Sequence, residues 1–286
     1  MFSYCRMEGI ISTPLTEIAY QSFGRKDGKP ILCLHGWLDN SSSFEPIAPI
    51  LADHGYYLVA IDFPGHGKSG WRSTKTIYSF VDFIADIKAV VDSLGWEHFS
   101  LLGHSMGGGL GSLFAGSFPE QVDKLILIEA LGPVTREPSE APSSLANAIN
   151  RLLNGIDQTD SSTFRSLELL VNLRLRAGAM KKESAELLMK RGTEKLEDNT
   201  YRLRRDPRLN LPSLVRLTEE QVLEFLKRIS CPVKVIWGQT GYQWEKKFLA
   251  QRIGSIANII EVTLEGNHHL HLDSPDEVSK EILDFL

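Results

Sequence analysis

Cysteine is scarce in this chain of 286 residues. There are three, Cys5, Cys33 and Cys231, far apart and odd in number. That excludes a disulfide framework and gives no zinc-ligand spacing. Cys33 and Cys231 lie in or beside apolar runs and read as small buried hydrophobes. Basic charge is not in excess either: the net charge is -5, so nucleic acid is not an expected partner. No stretch approaches the roughly eighteen uninterrupted apolar residues of a membrane span. The start, Met1-Phe-Ser-Tyr-Cys-Arg-Met7, lacks the basic segment and long apolar stretch of a signal peptide. No internal repeat or low-complexity tract stands out. These absences lead to the expectation of a cytoplasmic protein without metal or cofactor; monomer and homodimer both stay open.

What the chain does have is a full apolar complement, 42% hydrophobic, enough for an α/β core with an insertion. Apolar runs bounded by turn residues recur: Pro30–Leu34, Tyr57–Ile61, Phe99–Leu102, Leu125–Ile128, Pro232–Trp237 and Ile259–Leu264. Continuous β-branched runs of this kind suit strands buried on both faces of a parallel sheet. Segments between them, such as Ser79–Leu94, carry helical period. Alternating strands and helices predict a doubly wound sheet with right-handed crossovers. Residues 8–24 read as an antiparallel hairpin at the sheet edge. The alternation breaks between 133 and 230, where Pro133, Pro138 and Pro142 open a helical region rich in Leu and Arg. That region carries 17 basic and 14 acidic residues, a balance of opposite sign to the rest of the chain. A helical insertion between two strands of one sheet is the economical reading, with a core of 1–132 and 231–286.

Chemistry gathers at the strand ends, the edge where open α/β sheets bind ligands. Gly103-His-Ser-Met-Gly107 follows one apolar run and precedes a small-residue helical pattern. Gly-x-Ser-x-Gly arises by accident in about one chain in ten of this length. Strand, motif, then helix is the context of a nucleophile elbow, which makes Ser105 the candidate nucleophile. Its hydroxyl needs a base. Of the eight histidines, His54 and His98 lie in polar, loop-like surroundings. His35, His66 and His104 sit beside glycines in tight turns and read as residues that set geometry or touch substrate. The chain order serine, acid, histidine points to the cluster His268, His269, His271. His268, first after the Gly266-Asn267 turn, is placed to reach back over the sheet edge. A metal reading of the three lacks an accompanying cysteine or carboxylate cluster.

These motifs together resemble the α/β-hydrolase fold family over nearly the whole chain: His35-Gly-Trp37, Asp62-Phe-Pro-Gly-His-Gly-Lys-Ser69, Gly103–Gly107, and Gly266-Asn-His268 with Pro275 seven residues on. Within the family, His35–Phe44, Val122–Ile128 and Gly266–His268 are similar to the serine hydrolase-like proteins. The resemblance implies a mostly parallel, eight-stranded sheet with 133–230 as a helical cap. One departure concerns the acid. Most relatives place an Asp in the loop after the next-to-last strand, where this chain has Gly241. Some members take the acid from the end of the preceding core strand, here Glu129, with Glu245 as the fallback. An imidazole base works poorly without an orienting carboxylate, which argues against Glu129 as a mere segment cap.

The resemblance further implies an oxyanion hole from the backbone N–H groups of Trp37 and Met106. His35, Gly36 and His104 would then border the substrate pocket. Relatives that open epoxides or displace halide use Asp as nucleophile, whereas serine suits acyl transfer. The expected activity is hydrolysis of a carboxylic ester of small or medium acyl group. Thioesterase, lactonase and carbon–carbon hydrolase activities are the neighbouring readings. A non-catalytic ligand binder and an interaction module exposing the cap are readings of other classes. Arg202, Arg204 and Arg205 beside Asp206 read as a solvated charged stretch, with recognition of an acidic substrate group as the alternative.

Overall fold

A computed structural model describes residues 6–73, 76–153 and 163–286. The strands of the central sheet are β1 (Met7–Ser12), β2 (Glu17–Phe23), β3 (Lys29–Leu34), β4 (Tyr56–Ile61), β5 (Phe99–His104) and β6 (Val122–Ile128), then β10 (Val233–Thr240) and β11 (Ile259–Asn267). Their order is β1-β2-β4-β3-β5-β6-β10-β11. The edge hairpin β1–β2 is antiparallel, and β2 joins β4 antiparallel; every later pairing is parallel. The apolar runs alternate between two layers, as a period of two requires. Ile31 and Cys33 face one side with Leu102, Ile126 and Ile236. Leu32 and Leu34 face the other with Leu101, Leu125 and Val235.

Helices α1 (Ala48–Asp53) and α10 (Pro275–Phe285) cover the first layer through Leu51, Val278 and Ile282. Helices α2 (Asp82–Leu94) and α3 (Met106–Ser117) cover the second through Phe83, Ile87, Leu110 and Phe114. Cys33 and Cys231 are both buried, and burial pushes the Cys231 thiol up to about 11. Cys5 lies outside the described residues. Among the described residues no helix is long and apolar enough to cross a membrane.

Between β6 and β10 the chain forms α4 (Ala141–Leu153), β7 (Thr163–Phe164), α5 (Leu167–Ala177), α6 (Lys182–Gly192), β8 (Thr193–Lys195), β9 (Tyr201–Leu203) and α7 (Glu219–Lys227). The last stretch of the chain adds α8 (Lys246–Ile253) and α9 (Leu270–Asp273). The region expected to be helical thus also holds a three-stranded antiparallel sheet, β7-β9-β8. Its strands are two or three residues long, too short to leave an alternating pattern. Helix α7 falls inside the same span, yet Val222 and Leu226 join the core layer with Phe114.

Helices α5 and α6 share a small apolar cluster, Leu170, Val171, Ala185 and Leu188. Buried ion pairs tie both to the main sheet: Arg174 to Asp39 at 2.9 Å and Arg191 to Asp62 at 2.9 Å. Ser184 also donates to Asp273 at 2.6 Å. Removing one member of such a pair strands a buried charge. This side of the insertion is therefore anchored to the turns that follow β3 and β4.

Candidate active site

The sharp turn at the end of β5 positions Ser105. Its backbone stands at φ 51°, ψ -115°, a sparsely populated conformation for a residue with a side chain. A hydrogen bond from Ser105 N–H to the Ile128 carbonyl, 2.9 Å, fixes the turn against β6. Helix α3 begins on the next residue and passes so close to β3 that a Cβ at Gly107 would lie 2.0 Å from the Leu34 carbonyl oxygen. Only glycine fits there, which explains the second glycine of the motif.

His268 follows β11. Ser105 Oγ lies 2.9 Å from His268 Nε2, and His268 Nδ1 lies 3.1 Å from Glu129 Oε2. Glu129 is the first residue past β6 and adopts φ 58°. Its carboxylate is almost wholly buried and accepts two backbone N–H groups of the loop after β10, Gly238 at 2.6 Å and Tyr242 at 2.5 Å. The same loop holds Gly241. A Cβ on residue 241 would lie 2.1 Å from Glu129 Oε2, so the Glu129 carboxylate fills the space a side chain there would need. Glu245 is exposed at the start of α8, and the hydrogen bonds of the His268 ring go to Ser105 and Glu129.

The other histidines diverge. His104 is fully buried and its Nε2–H donates to the His268 carbonyl at 2.8 Å, steadying the turn that carries His268. His269 Nε2 accepts from Arg174 at 2.9 Å, and His271 pairs with Ser43 Oγ at 2.7 Å. Among the described residues no group of three or more His, Cys, Asp or Glu is arranged to hold a metal ion. His35, expected at the pocket, lines neither cavity beside Ser105. It is fully buried, donates from Nδ1 to the Gly36 carbonyl at 2.7 Å and accepts the Phe63 N–H on Nε2 at 3.0 Å. That bond braces the turn after β3 against the turn after β4. His54 and His98 are exposed.

Burial holds His35, His66, His104 and His271 neutral. It lowers His35 and His104, and brings His66 and His271 to about 3. In the unfolded chain each titrates near 6.5. Below that pH the unfolded state takes up protons that the folded state refuses, so stability is present above about 6.5 and falls as pH drops. Asp86 works the other way, because burial raises it to about 6 despite Arg72. Four histidines outweigh one carboxyl. Urea unfolding is expected to show the protein at least about 2 kcal/mol less stable at pH 5 than at pH 7. A flat profile would contradict this.

Two cavities meet at Ser105 and His268. One, about 470 Å³, is lined largely by apolar side chains including Phe80, Val134, Leu209 and Leu217. The other, about 590 Å³, includes Gly36, His104, Asp39, Arg174, Arg204 and Arg205. Trp37 lines both. Among the described residues the backbone N–H groups of Trp37 and Met106 have no protein acceptor. Met106 opens α3, where the helix dipole favours negative charge. A serine hydroxyl bonded to an imidazole, itself bonded to a buried carboxylate, is an arrangement able to perform nucleophilic acyl transfer. Two features had no local sequence signal: the buried pairs Arg174–Asp39 and Arg191–Asp62, and the division of the cleft.

A family model described as the alpha/beta hydrolase fold matches residues 29–240. The chain is 34% identical to a human protein named "Serine hydrolase-like protein 2", across 96% of this chain and 92% of that one. Among solved structures it is similar to a hypothetical protein from Pseudomonas aeruginosa PAO1, 38% identical with a TM-score of 0.89, covering 97% and 98% of the two chains. It is also similar to a "Thioesterase Domain From Curacin Biosynthetic Pathway", 26% identical with a TM-score of 0.86, covering 98% and 99%. The chain belongs to the α/β-hydrolase fold family and resembles, along nearly its whole length, the serine hydrolase-like proteins.

Proposed function

We propose that the protein is a serine hydrolase that cleaves a carboxylic ester of a small or medium acyl group through an acyl-enzyme. The observation that carries this reading is the continuous hydrogen-bonded chain from Ser105 Oγ through His268 to Glu129, opening on both cavities. Ser105 Oγ attacks the substrate carbonyl carbon while its proton passes to His268 Nε2. The Glu129 carboxylate fixes the imidazole tautomer and stabilises the imidazolium through Nδ1–H. Charge developing on the carbonyl oxygen is held by the N–H groups of Trp37 and Met106. His268 returns its proton to the departing alcohol, and the C–O ester bond breaks. Water, deprotonated by the same nitrogen, then attacks the acyl carbon and frees the acid and Ser105. The part of the insertion that precedes α7 acts as a lid that keeps bulk water from the acyl-enzyme. His104 and Gly36 border the pocket, and His35 acts only through the turn it braces.

A thioester is the second reading. It is favoured by the likeness to the thioesterase domain, and the same steps release a thiol. The test is a panel of nitrophenyl esters and matching thioesters of increasing acyl length, run beside fluorophosphonate labelling. The expected result is turnover that falls for long acyl groups, with a covalent adduct on Ser105 that is lost in Ser105→Ala. Preference for the thioester series would select the second reading. Absence of any Ser105 adduct would overturn both and leave a ligand binder.

A further inference from the structure

We infer that the 590 Å³ cavity recognises an anionic oxygen group, a carboxylate or its sulfo or phospho counterpart, on one arm of the substrate, and that Arg205 is the residue that grips it. The inference rests on the hydrolase reading for the word substrate, but the charge argument stands on the cavity itself.

Neighbouring arginines are committed to carboxylates. Arg202 bonds Glu194 at 2.8 Å, and Arg204 lies 3.9 Å from the same carboxylate. Arg208 holds Asp206, the residue next to Arg205, through Nε at 3.0 Å, and Tyr78 donates to that carboxylate at 2.9 Å. Arg174 and Arg191 are paired with Asp39 and Asp62. Among the described residues Arg205 has no carboxylate within 4 Å, and its Nε is buried without a hydrogen-bond partner. A buried donor left unmade is costly, and a guanidinium presents a fork that matches an oxyanion.

The negative charge in the cavity lining is already paired. Asp39 is its one lining carboxylate among the described residues. Burial would push Asp39 up, but the Arg174 guanidinium 2.9 Å away holds the group ionised and occupied. His66, also lining the cavity, donates from Nδ1 to the Pro64 carbonyl and leaves a bare, partnerless Nε2, so it carries no charge there.

Arg205 is also well placed. Its backbone forms an antiparallel bridge with His66, and Asp206 N–H donates to the Gly65 carbonyl at 2.8 Å. The guanidinium therefore springs from a point fixed to the turn after β4. A concave site with this charge balance concentrates anions. Across Ser105 the other cavity is mainly apolar. The substrate class is accordingly an ester or thioester with one apolar arm and one arm ending in an anionic oxygen group.

The test uses matched pairs that differ only in charge. On the acyl side these are the nitrophenyl ester of hemiglutarate and that of its methyl-capped form. On the alcohol side they are the butyrate ester of a hydroxybenzoate and that of its methyl ester. The readout is the anionic-to-neutral ratio of kcat/KM. At least one pair is expected to give a ratio of about ten or more in low salt, shrinking as salt rises. That ratio should fall about tenfold in Arg205→Gln and recover in part in Arg205→Lys, with a sulfonate-bearing ester as a further arm to separate carboxylate from sulfo recognition. The same pairs titrated calorimetrically against Ser105→Ala protein give a ratio of Kd values that needs no turnover. Ratios at or below one for both pairs, or a ratio unchanged in Arg205→Gln, would overturn the inference. Loss of Ser105 labelling with the binding ratio intact would instead overturn the hydrolase reading alone.

Discussion

Glu129→Gln is expected to lower kcat for ester hydrolysis by about 10³ to 10⁴-fold while leaving the chain folded. Three N–H donors converge on the two oxygens of Glu129: Gly238, Tyr242 and His268 Nδ1. An amide has one acceptor oxygen and one NH2 group. Whichever way it turns, a donor faces a donor. If the NH2 faces His268, the imidazole flips to the tautomer protonated on Nε2 and cannot take the Ser105 proton. If it faces Gly238, a buried backbone N–H loses its partner, at a cost of about 1–3 kcal/mol. Turnover of the best nitrophenyl ester, with circular dichroism to confirm folding, checks the expectation. Activity within tenfold of wild type would contradict it.

The second large effect is at Gly241, the position where the family resemblance led to the expectation of a carboxylate. Gly241→Asp would drive a Cβ to within 2.1 Å of Glu129 Oε2 and set two carboxylates in contact. Both overpacking and like-charge repulsion act, so the loop must move away from Glu129. The expected loss is about 100-fold in kcat, from displacement of the Glu129–His268 contact, with about 1–3 kcal/mol of stability. The double variant Glu129→Gly/Gly241→Asp should regain at least about tenfold over Gly241→Asp. It removes the clash, frees the left-handed backbone at 129 from its side chain, and supplies a carboxylate from the neighbouring loop. A double variant no better than the single would mean that residue 241 cannot orient His268. Equal activity of Gly241→Asp and wild type would mean that Glu129 does not need its present position.

Much of the fold was legible because its signals are local. Each core strand is a short apolar run closed by a turn, and residues 122–128, 233–240 and 259–267 are strands in the positions their sequences suggest. The departure at Gly241 and the choice of Glu129 came from the family resemblance and not from a local signal. What was not legible depends on approach in space. His35 and His104 look alike in sequence, each beside a glycine in a turn. His35 is turned inward by the Phe63 N–H, whereas His104 packs beneath His268 and reaches the second cavity. The strands at 193–195 and 201–203 are too short for a period to show. The ion pairs Arg174–Asp39 and Arg191–Asp62 join residues 135 and 129 positions apart, with no pattern linking them. Arg205 differs from Arg202 and Arg204 in lacking a carboxylate, a distinction that appears once the partners are in place.

The proposed role of Glu129 is to activate Ser105 through His268. The rate of fluorophosphonate labelling at Ser105 tests it without knowledge of the natural substrate. Glu129→Gln is expected to label at least about 100-fold more slowly than wild type, and Glu245→Gln within twofold of it. Labelling of Glu129→Gln at the wild-type rate, or a slow rate confined to Glu245→Gln, would contradict it.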